Sequence, residues 1–102
     1  MKIACASTNG LEVDEHFGTA SHFHIFSLEG GVLTPAGKVV VEPYSQGDQK
    51  DHSFAQTAFE RVSEPLKGCS KVYVVKIGDT PAAELRKIGI EPIVYKGAID
   101  NI

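Results

Sequence analysis

The chain reads as an α/β protein built on one mixed β-sheet, and three observations lead there. The opening run Ile3-Ala4-Cys5-Ala6 is short and wholly apolar, which suits a strand covered on both faces. Two later runs are joined by the tight reversal Glu29-Gly30-Gly31, a hairpin signal. The second half alternates helical and strand patterns, which is how parallel strands are connected.

Residues 2–6 are the first strand, and Ser7-Thr8-Asn9-Gly10 its turn. Residues 22–28 form the second strand, with Phe23 and Ile25 on one face and His24, Phe26 and Leu28 on the other. Residues 32–41 pair with it in antiparallel fashion. Pro35 and Gly37 interrupt that third strand, and proline cannot donate to a ladder, so it is expected at an edge or with a bulge. The polar run Pro43 to Asp51 has no periodicity and reads as a loop.

Ser53 opens the first helix, where Ser53-x-x-Gln56 fits a capping box. Phe54, Ala58, Val62 and Leu66 recur every four residues, with Ala55 and Phe59 beside them, and Pro65 ends or kinks the helix. Val72 to Ile77 is too apolar for a one-sided strand and is expected to be central and parallel. In the second helix Thr80 is the expected N-cap, Pro81 the first helical residue and Gly89 the left-handed terminator. Ile90 would then fold back on Leu85. Glu91 to Tyr95 is the last strand, and Gly97 to Ile102 adds one helical turn.

The expected order is βββαβαβ, a five-stranded mixed sheet. Its first strand is central, the second and third lie on one side, and the fourth and fifth lie on the other. The helices cover one or both faces. Phe54, Phe59, Leu66, Val72, Val74, Leu85 and Ile88 are the expected core.

The 102 residues make a single domain, 1–102, and 42% hydrophobic with 23% charged residues is ordinary for a globular protein. A net charge of −3 lacks the basic footprint of a nucleic-acid binder. No signal peptide or membrane span of about 20 apolar residues is seen, so the expected setting is cytoplasmic. Two cysteines, Cys5 and Cys69, are too few for a disulfide scaffold and are expected reduced and buried.

The stretch Val13-Asp14-Glu15-His16-Phe17-Gly18-Thr19-Ala20, followed by Phe23, is similar to the V-x-x-H-F-G-x-A signature of the nitrogenase cofactor-biosynthesis family. That family comprises NifX-type proteins and the C-terminal domain of NifB. Lys2-Ile3-Ala4-Cys5-Ala6-Ser7 resembles its opening strand. Leu66 to Tyr73, and Gly78 through Leu85 to Ile90, resemble its second half. The resemblance implies a ribonuclease H-like fold and a non-enzymatic role. Such a protein would bind an iron–sulfur or iron–molybdenum cluster and pass it between donor and acceptor assembly proteins, as a monomer or weak homodimer.

His16 is the leading ligand, because a neutral imidazole suits iron and a cluster needs few protein contacts. Phe17 and Gly18 complete that turn, with Gly18 letting a ligand approach. The plain alternative is a surface-turn histidine. His52, just before the Ser53 cap, is the second candidate, since a helix N-terminus favours anions; it also reads as a solvent-exposed loop residue. The two histidines would share a pocket if the first helix starts near the turn after the first strand. Cys5 is a third, weaker ligand candidate. His22 and His24 share one strand face and are more simply a wet sheet surface. Asp14 and Glu15 are either hydrogen-bonding partners of His16 or solvated charges.

Three functions compete: a cluster carrier, a small regulatory domain without cargo, and a ribonuclease H-type nuclease. The last needs clustered acids beginning on the first strand, where Cys5 stands among Ile3, Ala4 and Ala6.

Overall fold

The computed structural model describes residues 1–41 and 56–102, and for 56–58 the backbone only. The main sheet has the order β4-β3-β1-β5-β6. Its strands are β1 (Lys2–Ala6), β3 (His22–Glu29), β4 (Val32–Val40), β5 (Cys69–Val74) and β6 (Glu91–Val94). β5 runs parallel to β1 and β6, whereas β3 is antiparallel to β1 and β4. β1 is central, as its apolar run requires, with Ile3, Ala4, Cys5 and Ala6 all fully buried.

The β3–β4 hairpin turns on Gly30 and Gly31, at φ 56° and 81°. Positive φ at both central residues matches the twist of the flanking strands, and glycine adopts it without steric cost. β4 is an edge strand. Ile25 pairs with Gly37 and Phe26 with Pro35, which leaves Ala36 as the bulged residue.

Helix α1 (Gln56–Ser63) tightens into a 3₁₀ turn at Glu64–Leu66. Pro65 has no N–H to continue the α ladder, so the change comes where the sequence places it. Phe59, Val62 and Leu66 are buried as expected. The loop read at Pro43–Asp51, the cap at Ser53, and Phe54 and Ala55 lie outside the described residues, as does the Ala58 side chain.

Helix α2 (Asp79–Lys87) begins two residues earlier than its sequence suggests. Gly78, not Thr80, is the N-cap, and Ala82 N–H closes the first turn on Gly78 O at 3.1 Å. Pro81 therefore stands third in the helix, where its missing N–H costs nothing because the first four amides have no partner within the helix. At the other end Gly89 takes φ 85°. Gly89 N–H reaches Arg86 O at 3.1 Å and Ile90 N–H reaches Leu85 O at 2.9 Å, a Schellman ending. Ile90 and Leu85 are both buried, while Ile88, expected in the core, is 42% exposed. The reversal at Gly89 gives the core position to Ile90.

β5 starts at Cys69 and stops at Val74, three residues short of its expected end at Ile77. Val75 and Lys76 instead bond to residues 15 and 17. A second, two-stranded sheet was not expected: β2 (Glu12–Val13) pairs with β7 (Gly97–Ala98). A 3₁₀ turn at Ile99–Asn101 follows, so only half of the C-terminal segment is helical.

The two sheet faces are closed differently. Both helices cover one face, where Phe59, Val62, Leu66 and Leu85 pack over Ala4, Phe23 and Val72. On the other face Val13 and Ile99 pack over Ile3, Cys5, Phe26 and Tyr73.

Candidate metal-cluster site

The chain leaving β1 forms a self-bonded turn. Ser7 Oγ accepts Gly10 N–H at 2.8 Å, and Asn9 Oδ1 accepts the N–H groups of Leu11 and Glu12 at 2.8 and 3.1 Å. Gly10, at φ 76°, lies on the His24 ring, where a Cβ would come within 3.0 Å of Cε1 and Nδ1. The chain passes through β2 and returns over the sheet. Asp14 Oδ1 accepts Thr8 N–H at 2.9 Å and its Oδ2 the Thr8 hydroxyl at 2.5 Å.

Residues 14–20 then cross the C-terminal ends of β1 and β5. Asp14 and Glu15 N–H both donate to Ala6 O, at 3.2 and 3.3 Å. Val75 N–H donates to Glu15 O at 2.9 Å, and Phe17 N–H to Lys76 O at 2.8 Å. His16 O accepts Thr19 and Ala20 N–H, which rounds the turn at Phe17-Gly18. Phe17 is 1% exposed, its ring centroid 6.2 Å from Phe23 and 6.4 Å from Phe59. The alternation is decisive locally: Phe17 is drawn into the core, and His16 is left exposed above the strand ends.

The family profile described as dinitrogenase iron-molybdenum cofactor matches residues 1–102. The chain belongs to that family. It is 34% identical over 91 residues to the FeMo cofactor biosynthesis protein NifB of Herbaspirillum seropedicae, covering 89% of this chain but 17% of that one. It is 30% identical over 98 residues to Protein NifX of Rhodobacter capsulatus, covering 94% of this chain and 60% of that one. The chain thus spans less than two thirds of either relative. The crystal structure of PH0822 superposes with a TM-score of 0.71 at 19% identity, over 99% of this chain and 85% of that one. At that identity the likeness establishes the shared fold.

In this member of the dinitrogenase iron-molybdenum cofactor family, the sequence candidates fall into separate places. His16, Phe17 and Gly18 form the loop over the strand ends, with Phe17 as its anchor and Gly18 half-buried. His52 and Ser53 lie outside the described residues. Cys5 is sealed in mid-sheet on the face closed by Val13 and Ile99. Burial, helped by the Cys69 thiol, pushes its thiol up to about 12, so it is held protonated and takes a metal only if the sheet opens. His22 Nδ1 lies 2.9 Å from Ser21 Oγ. His24 is half-buried, with Nε2 enclosed and unpartnered among the described residues. Burial first, then Lys38 and His22, push it toward the neutral form, against the pull of Asp14. Among the described residues no three His, Cys, Asp or Glu side chains gather as a metal site.

Asp14 is exposed, as expected of a solvated charge, and its carboxylate also secures the Thr8 turn. The pairing of residues 15–17 with 75–76 escaped the sequence reading, in which the strand runs on to Ile77. The interruption by Lys76 in that apolar run is the signal that marks its end.

Both cysteines are free and buried. Two thiols per chain should therefore react after anaerobic denaturation, and almost none before it. Because the folded Cys5 retains its proton up to about 12 while the unfolded thiol releases it near 9.0, stability should fall as pH rises through that interval. Burial raises Cys69 and Tyr73 in the same direction. Cys5→Ala should flatten the decline, read as urea midpoints at pH 8 and 10; an unchanged slope would contradict the buried thiol.

Proposed function

We propose that this chain is a non-enzymatic carrier or scaffold that binds an iron–sulfur or iron–molybdenum cluster during cofactor biosynthesis. The observation that carries this reading is the exposed His16 imidazole on a loop bonded to the C-terminal ends of β1 and β5. From that edge the chain proceeds toward β3 on one side and β6 on the other. Ligands of open α/β sheets favour such a divergence, because it leaves a crevice lined by loops. The names of the NifB and NifX relatives support cofactor biosynthesis as the setting.

In this reading His16 is the principal protein ligand, with His52 and the Ser53 amide as further contacts and the Gly18 backbone beside the cargo. The cluster's own sulfides fill most metal positions, so few protein ligands suffice. Donor and acceptor assembly proteins are its partners, and a monomer or weak homodimer in the cytoplasm is its state. Among the described residues no helix is long and apolar enough to cross a membrane. The strand order β4-β3-β1-β5-β6 supports the ribonuclease H-like motif, yet β1 presents no carboxylate for nuclease chemistry.

Anaerobic titration of the apoprotein with a reconstituted iron–sulfur cluster, followed by absorption and EPR, tests the reading. A saturable, protein-dependent change in both spectra is expected. No binding under these conditions would favour the regulatory domain without cargo.

A further inference from the structure

Two main-chain bonds decide what the His16 loop presents to solvent. Val75 N–H to Glu15 O and Phe17 N–H to Lys76 O bracket His16 and lay Lys76 beside it. In the paired stretches, Phe17 is buried, Glu15, Val75 and Ile77 are half-buried, and His16 and Lys76 alone are exposed. Val75 packs toward one face of the sheet and Ile77 toward the other. The C-terminal end of the sheet therefore carries an exposed histidine and an exposed lysine on neighbouring, backbone-paired stretches.

Charge gives that neighbour a role. Asp14 and Glu15 bring two carboxylates to the same loop, with Asp14 engaged by Thr8. A thiolate-capped iron–sulfur cluster is itself an anion, and a neutral imidazole does nothing to offset either charge. Without a cation the loop would repel its cargo. Lys76 supplies a compact positive charge on a flexible stem that can follow a cargo of uncertain outline.

We infer that Lys76 is a cargo-binding residue, its ammonium offsetting the negative charge of a metal–sulfur cluster held at His16. This rests on the proposed carrier function and specifies the charge class of its cargo.

The test uses the full chain, its Lys76→Glu, Lys76→Arg and His16→Ala variants, and two probes of opposite charge. One is a synthetic thiolate-capped [4Fe–4S] dianion and the other is Co²⁺. At low ionic strength Lys76→Glu should weaken binding of the dianion by about tenfold and strengthen binding of Co²⁺ by a few fold, since the reversed charge acts across several ångströms. Lys76→Arg should match the parent. The differences should shrink near 1 M salt, where screening acts over about 3 Å. Unchanged melting of the exposed-site variants shows that folding is not the cause. If Lys76→Glu binds both probes like the parent while His16→Ala loses them, the Lys76 role is overturned and the His16 site stands. If the parent binds neither probe, or His16→Ala binds both normally, the site itself is overturned and Lys76 falls with it.

Discussion

Phe17→Ala should destabilise the protein by about 3–5 kcal/mol, the usual cost of emptying a buried aromatic position. The ring is 1% exposed and lies against Phe23 of β3 and Phe59 of α1, so its removal leaves a void between sheet and helix. In a domain of this size such a loss should lower Tm by more than about 12 °C. The same ring pins the loop that carries His16, so the variant should also bind cluster poorly at temperatures where it remains folded. Phe17→Leu, which fills part of the volume, should fall between parent and alanine in both respects. Urea unfolding and a cluster titration on the same preparations would check this. A destabilisation under 1 kcal/mol would mean that the ring does not anchor the loop.

His16→Ala should do the reverse: leave the fold nearly intact and lower cluster affinity by more than tenfold. A coordinating imidazole contributes a metal bond whose loss exceeds the roughly 1.4 kcal/mol that corresponds to tenfold in affinity. Its side chain is exposed, and the bonds that hold the loop are made by backbone atoms at residues 14–17. Surface substitutions of this kind usually change stability by less than about 0.5 kcal/mol. His22→Ala and His24→Ala should affect cargo much less, because both residues belong to β3 and His24 lies beneath Gly10. His52→Ala should have an intermediate effect. Affinity and melting temperature for the four variants separate these outcomes. A folded His16→Ala protein with parental affinity would refute the site.

The two substitutions also mark how far the site was legible. The V-x-x-H-F-G pattern picked out both residues and put His16 on an exposed turn, but it did not say that Phe17 would be buried as the anchor of that turn. The pairing with Val75 and Lys76 settles that, through atoms some sixty positions apart that carry no side-chain code. The Asp14–Thr8 bond was equally opaque, since it depends on how the turn after β1 closes. His52 and Ser53 lie beyond the described residues, so their part in the site rests on their place before α1.

Local chemistry determined much of the fold. Two glycines with positive φ fixed the β3–β4 hairpin, Pro65 ended α1, and Gly89 ended α2, because each acts through its own backbone dihedrals. The apolar run Ile3, Ala4, Cys5 and Ala6 of β1 could only be central, since neither of its faces tolerates water. Tertiary structure decided the rest. The N-cap of α2 moved to Gly78 because a helix's first amides leave proline free to stand at any of several positions. Ile88 lost its core place to Ile90 because the chain reverses between them. β5 ended early because its last amides found partners in the His16 loop. The β2–β7 pair has two residues per strand, too short for periodicity to register, and it forms because the second face of the sheet needs a cover. Hydrophobic pattern tells a residue to be buried; only the closed sheet, with its backbone bonds paired, determines against what.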